Sequence, residues 1–145
     1  MSPSALAAFS QAPAGAAPLV RLRGAGKRFG QRWVLRGLDL EVAAGSIVAL
    51  LGESGSGKST LLNLIAGLEP VDEGEVHVAG EAVHALDPDA PARMRRRTLG
   101  FVFQAFHLIP HLDAVRNVAV PMLLAGHGER QSPARAAALL GRVRA

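Results

Sequence analysis

The sequence predicts an α/β fold built around a strand–loop–helix unit. Three observations carry this. Residues 47–51, Ile-Val-Ala-Leu-Leu, form a short uninterrupted apolar run, which suits a central parallel strand covered on both faces. A glycine-rich segment follows at once. Beyond it, Leu61, Leu62, Leu64, Ile65 and Leu68 recur at helical spacing. The chain has 145 residues, 49% of them hydrophobic and 19% charged, so it has one domain's length and enough apolar content for a core.

The elements follow in order. Residues 1–18 are rich in Ala, Pro, Ser and Gly, carry no lysine or arginine, and read as a flexible leader rather than a secretory signal. The folded part is expected over 19–145. Residues 19–23 alternate apolar and basic side chains, as an edge strand would. Gly24, Gly26 and Gly30 break it into a turn region. Residues 34–42 alternate again, with Leu38, Leu40 and Val42 on one face and Asp39 and Glu41 on the other. After the apolar strand 47–51, a helix is expected over 58–68, closed by Gly67, Pro70 and Gly74. Residues 75–83 suit a small hairpin around Gly80. Asp87 as N-cap and Pro88 in the first turn start a basic helix running to Arg97. Residues 100–103, Gly-Phe-Val-Phe, read as another buried strand ending at Gln104. Residues 113–124 and 132–144 are expected to be helical, with Ser132 and Pro133 as cap and first-turn proline.

Composition excludes several function classes. Cysteine is absent, which rules out a disulfide scaffold, a zinc–thiolate site and a cysteine nucleophile, and fits a reducing cytoplasm. Tyrosine is absent and aromatics are 4%, too few for a platform that stacks single-stranded nucleic acid. Of 16 basic residues only Lys27 and Lys58 are lysines, and a net charge of +4 permits an anionic ligand without demanding nucleic acid. No apolar run reaches the roughly 18 residues of a membrane span. The histidines, His77, His84, His107, His111 and His127, have no metal-ligand spacing, and Pro110 breaks any helix that would align His107 with His111. Arg93, Arg95, Arg96 and Arg97 read as a solvated helix face.

The chemistry lies in the glycine-rich segment. Gly52, Glu53, Ser54, Gly55, Ser56, Gly57, Lys58 and Ser59 match G-x-x-x-x-G-K-[ST], the phosphate-binding loop. Gly52, Gly55 and Gly57 are expected to take positive φ and let the backbone approach a phosphate closely. The loop amides then form an anion-binding nest, and the next helix adds its positive end. Lys58 supplies a point charge for the β- and γ-phosphates, and the Ser59 hydroxyl is suited to Mg²⁺.

Two longer segments narrow the reading: GESGSGKSTLLNLIAGLEPVDEGEV over 52–76 and LGFVFQAFHLIPHLDAVRNVAVPMLLAG over 99–126. On these, residues 21–124 resemble the nucleotide-binding subunit of ATP-binding cassette (ABC) transporters, and are most similar to the lipoprotein-release and macrolide-export type. The resemblance implies a P-loop NTPase core with an antiparallel β subdomain and the start of a helical subdomain. Residues 19–145 would then be a partial nucleotide-binding domain. It implies ATP and Mg²⁺ as cofactors, with Gly52, Glu53, Ser54, Gly55, Ser56, Gly57, Lys58, Ser59 and Thr60 holding the triphosphate. Gln104 matches the family's Q-loop glutamine, which with Ser59 would face the metal. Phe29 matches the aromatic that stacks on adenine, usually tyrosine in the family, with Trp33 as the rival. The implied partners are a membrane subunit docked near 106–112, from Phe106 to Leu112, and a second nucleotide-binding subunit, with no role for nucleic acid. The implied location is cytoplasmic, on the inner face of the plasma membrane.

The family's signature motif, its apolar strand ending in Asp-Glu and its switch histidine are not among the 145 residues. No residue here is therefore assigned as catalytic. The sequence is expected to be the front part of a cassette, truncated before the signature, whether as a truncated product, a split gene or a fragment. Such a chain is expected to bind ATP without appreciable hydrolysis. The alternative is a non-catalytic remnant or regulatory module. Without the Asp-Glu strand, residues 47–51 and 100–103 would each lack a central neighbour, leaving unpaired backbone.

Overall fold

Strand alternation in the front of the chain resolves into two sheets. The structure, a computed structural model, describes residues 7–11, 18–83 and 89–143. The chain divides into two units, residues 1–100 and 101–145. In the first, β2 (Pro18–Phe29) and β3 (Arg32–Ala43) form a long antiparallel hairpin, and β5 (Glu73–Val78) pairs with the other side of β2. The two-residue β6 (Glu81–Ala82) completes a four-stranded sheet of order β3-β2-β5-β6. A separate two-stranded sheet joins β1 (Ala7–Gln11) to β4 (Ile47–Leu51). The helices of this unit are α1 (Lys58–Ile65) and α2 (Ala90–Thr98).

The core follows from the alternation. Leu22, Leu35, Val76 and Val78 from the four-stranded sheet cluster with Leu61 and Leu64 of α1, and Val83 and Met94 close the cluster. Leu61 and Leu64 are 0% and 1% exposed, and burial of that extent stabilises by about 2–3 kcal/mol per leucine. Leu38, Leu40 and Val42 are half-buried while Asp39 and Glu41 are exposed, as alternation required.

Helix α1 ends in a Schellman turn. Gly67 takes φ +62, its N–H donates to Leu64 O at 3.0 Å, and the Leu68 N–H donates to Asn63 O at 2.9 Å. Leu62 and Leu68, expected on the apolar stripe, are exposed, and Leu68 lies beyond the end of the helix. The hairpin around Gly80 is present, with Ala79 and Gly80 both at positive φ, the geometry of a two-residue primed turn.

Several expectations are corrected. Gly24 and Gly26 do not turn the chain: they sit in irregularities inside a continuous β2, and the turn comes at Gly30 and Gln31. The irregularity holds because Asp39 Oδ1 accepts from the Gly24 N–H at 2.7 Å, satisfying a donor displaced from the ladder. The leader is not wholly without structure, since residues 7–11 pair with β4. Nor is β4 a parallel strand buried on both faces. Among the described residues it pairs antiparallel with β1 alone, and Ile47 and Leu51 are exposed. Residues 100–103 form no strand, and Phe101, Val102 and Phe103 are exposed. An apolar run becomes a strand only where a ladder partner meets its N–H and C=O groups, and no pairing of the described residues involves this segment.

The expected cap Asp87, with Pro88 and His84, lies outside the described residues. Helix α2 has Asp89 at its N-cap and a proline in its first turn. Its basic face is not simply solvated. Arg95 Nη1 donates to Gly67 O at 2.8 Å and Ala66 O at 3.2 Å, so it caps the carbonyl end of α1.

The second unit contains α3 (Ala114–Leu124) and α4 (Gln131–Arg142) packed on one another, with Ala119 and Ala136 buried. Asp113 caps α3 through the Arg116 N–H at 2.7 Å. Gly126 at φ +86 ends it in a second Schellman turn, with the His127 N–H donating to Met122 O at 3.0 Å. Ser132 is not the cap of α4. The helix starts at Gln131 with Arg130 as its N-cap, two residues before the expected one, and the Ser132 Oγ is buried and donates to Gly128 O at 3.0 Å. Among the described residues no helix is long and apolar enough to cross a membrane.

Candidate functional site

The loop between β4 and α1 takes the expected backbone at two of its three glycines. Gly55 and Gly57 lie at φ +80 and +95, while Gly52 is not among the positive-φ glycines. Gly57 is the N-cap of α1. A Cβ there would lie 2.9 Å from Leu35 Cδ2 and 3.2 Å from Val34 Cγ1. The helix start is therefore seated directly on β3, at a distance only glycine allows.

Lys58, the first residue of α1, folds its side chain back over the loop. Its Nζ donates to Glu53 O at 2.7 Å, Gly52 O at 2.8 Å and Ser56 Oγ at 3.4 Å. The Ser56 N–H donates to Glu53 O at 3.2 Å, closing a turn inside the loop. These bonds hold the loop's curvature and keep a cation at its mouth.

A cavity of about 440 Å³ opens against this loop. The loop and helix start contribute Ser54, Gly55, Gly57, Lys58, Ser59 and Thr60, and β3 contributes Arg32 and Val34 across from them. The lining holds two cationic side chains and no carboxylate. Ser59 is exposed and Ser56 is buried. Among the described residues no group of three His, Asp or Glu side chains could hold a metal ion.

Phe29 and Trp33, the expected adenine stackers, are not among the lining residues. Phe29 lies at the end of β2 with 51% exposure, the Lys27 Nζ 5.4 Å from its ring centroid, and it does not line the cavity. Trp33 is half-buried over Gly26, where an added Cβ would meet its ring at 3.0 Å. The Arg28 and Arg36 guanidiniums lie 5.6 and 5.5 Å from its ring centroid. Gln104 belongs to the second unit and is exposed. In that unit Phe106 is 90% and Leu108 62% exposed. Arg32 and Val34 escaped the sequence reading. The expected strand began at Val34; only the longer β3, which starts at Arg32, puts the two on one face.

Residues 35–145 match the family described as ABC transporter. The chain is 47% identical over 131 residues to the pyoverdine export ATP-binding/permease protein PvdT of Pseudomonas fluorescens. It is 45% identical over 130 residues to the probable syringafactin export ATP-binding/permease protein SyfD of Pseudomonas syringae. It is 42% identical over 129 residues to the macrolide export ATP-binding/permease protein MacB of Escherichia coli. These alignments cover 86–87% of this chain but 20% of each relative, so the chain spans about a fifth of the length of these curated relatives. Among solved structures, the ATP-binding cassette MJ0796 bound to ADP and Pi superposes with a TM-score of 0.70 at 32% identity. That match covers 84% of this chain and 56% of the cassette. On its sequence match and its fold together, the chain belongs to the ABC transporter family.

Proposed function

We propose that the chain binds Mg-ATP through residues 52–60 and belongs to an exporter or lipoprotein-release complex at the inner face of the plasma membrane. The carrying observation is the loop itself. Gly57 is left-handed and seated on β3, Lys58 is pinned over the loop, and a cation-lined cavity stands in front of them. Oriented amides, a helix N-terminus and two cations form an anion site of the size of a phosphate chain.

The donor set suits Mg²⁺. The Ser59 hydroxyl lines the cavity, and Mg²⁺ is commonly held by one or two protein oxygens together with substrate phosphates. When bound, the ion draws charge from the phosphate oxygens. Ser59 would hold it, Lys58 would neutralise the triphosphate, and the loop amides would orient it. Gln104 is assigned to the same metal by its match to the family's glutamine. Phe29 is the better adenine stacker: its ring is half-exposed, whereas Trp33 is packed on Gly26 with two guanidiniums nearby.

The exposed Phe106 and Leu108 support docking of a membrane subunit along 106–112, with a second nucleotide-binding subunit completing the assembly. The 145 residues include no carboxylate assigned as general base, so this chain alone binds ATP and turns it over little.

Thermal unfolding of the full chain with and without Mg-ATP tests the reading. A ligand at 100-fold its Kd adds about 2.7 kcal/mol to the folded state. The unfolding temperature is expected to rise with Mg-ATP in the native chain and not in Lys58→Ala. No rise in the native chain would favour the non-catalytic remnant or regulatory module. Substantial phosphate release abolished by Lys58→Ala would contradict the low turnover.

A further inference from the structure

The geometry points to Arg32 as a second phosphate-binding cation of this site, the one whose donors are free to meet the phosphate chain. The inference rests on reading residues 52–60 as a nucleoside-triphosphate loop and names a specificity-determining residue for it.

Gly57 lets α1 rest on Val34, with an added Cβ only 3.2 Å from Val34 Cγ1. Side chains two apart on a strand share a face. Arg32, two residues before Val34, is therefore carried to the mouth of the loop, and it lines the same cavity as Ser54, Lys58 and Ser59.

An ammonium has three N–H donors, and Lys58 directs its three at Gly52 O, Glu53 O and Ser56 Oγ. A guanidinium has five, and that of Arg32 makes no hydrogen bond or ion pair with any described residue. No carboxylate lines the cavity to neutralise it. The planar fork of arginine matches two phosphate oxygens at once, which a lysine cannot do. Arg32 is the first residue of β3, beside the turn at Gly30 and Gln31, so it can swing onto a ligand without disturbing the core.

The test is competition of Mg-ATP, inorganic tripolyphosphate and adenosine against a fluorescent ATP analogue. It uses the full chain and the variants Arg32→Gln, Arg32→Lys, Arg32→Glu and Lys58→Ala. Arg32→Gln is expected to weaken Mg-ATP and tripolyphosphate by the same factor, roughly five- to tenfold, the size of one charge-assisted contact near solvent. It should leave adenosine unchanged and flatten the salt dependence. Arg32→Glu should weaken both further, and Arg32→Lys should recover only part of the loss. Unfolding temperatures should match the native chain, because the side chain has no partner to lose.

Tripolyphosphate affinity within twofold of native in Arg32→Gln overturns the inference. So does a loss confined to Mg-ATP, which would put Arg32 on the nucleoside. If Lys58→Ala abolishes binding while Arg32→Gln does nothing, the loop reading stands and Arg32 alone falls. If the native chain binds neither phosphate ligand, both fall.

Discussion

Replacing Asn117 by alanine removes the clamp that shapes the turn before α3. Its Oδ1 accepts from the Ile109 N–H at 2.8 Å. Its Nδ2 donates toward Leu112 O at 2.9 Å, Asp113 O at 3.0 Å and Ile109 O at 3.2 Å. An amide nitrogen has two hydrogens, so these three contacts count as two full bonds, and the side chain contributes about three in all. Each is worth about 0.5–1.5 kcal/mol net, and the exposed bond to Asp113 O lies at the low end. Alanine returns about half a kcal/mol in helix propensity inside α3. The net loss is about 2 kcal/mol, or about thirtyfold in the opening equilibrium of the turn. Native-state hydrogen exchange at the Ile109 amide reads that opening directly. Asn117→Ala should speed it by about thirtyfold. Asn117→Asp should fall between, since it keeps the acceptor for Ile109 and loses the donors. Exchange within threefold of native in Asn117→Ala would refute the reasoning, for the carboxamide would then not hold the turn. Because the clamp shapes the segment proposed to meet a membrane subunit, a loosened turn should also weaken docking there.

Other perturbations test other joints of the fold. Gly74→Ala should cost about 3 kcal/mol or more in urea unfolding, because a Cβ would collide with the Arg23 carbonyl at φ +77. Lys27→Met should cost about 1–2 kcal/mol in the same assay. The buried ammonium donates to Pro70 O at 2.8 Å and pairs with Glu69 at 3.4 Å, though a carboxylate about a third exposed keeps its loss moderate. Arg95→Ala should cost about 1 kcal/mol and raise amide exchange at Gly67 and Leu68, since it removes the donor to the Ala66 and Gly67 carbonyls in the turn that closes α1.

What could be read in advance was what depends on neighbours in sequence. The phosphate loop is an eight-residue pattern, and the positive φ of Gly55 and Gly57 is a local consequence of it, though Gly52 does not share it. The alternation in β3 and the stripe of α1 are likewise local. What failed needed a partner from elsewhere. Gly24 looked like a turn because the carboxylate that stabilises its irregularity, Asp39, lies 15 residues away. The apolar runs 47–51 and 100–103 looked like buried strands, yet burial and strand formation belong to the neighbours, and the neighbours differ. Arg95 looked like one of four solvated arginines, and only the position of the α1 carbonyls picks it out. Arg32 reached the cavity through the register of β3 against Gly57, which no spacing rule could supply.

The account's central claim is that residues 52–60 form a working triphosphate site in this chain. Equilibrium titration of the full chain with Mg-ATP, repeated on Lys58→Ala, tests it most directly. The account predicts one saturable site of about micromolar Kd in the native chain, weakened at least about tenfold by removal of the lysine charge. No saturable binding, or equal affinity in Lys58→Ala, would contradict it.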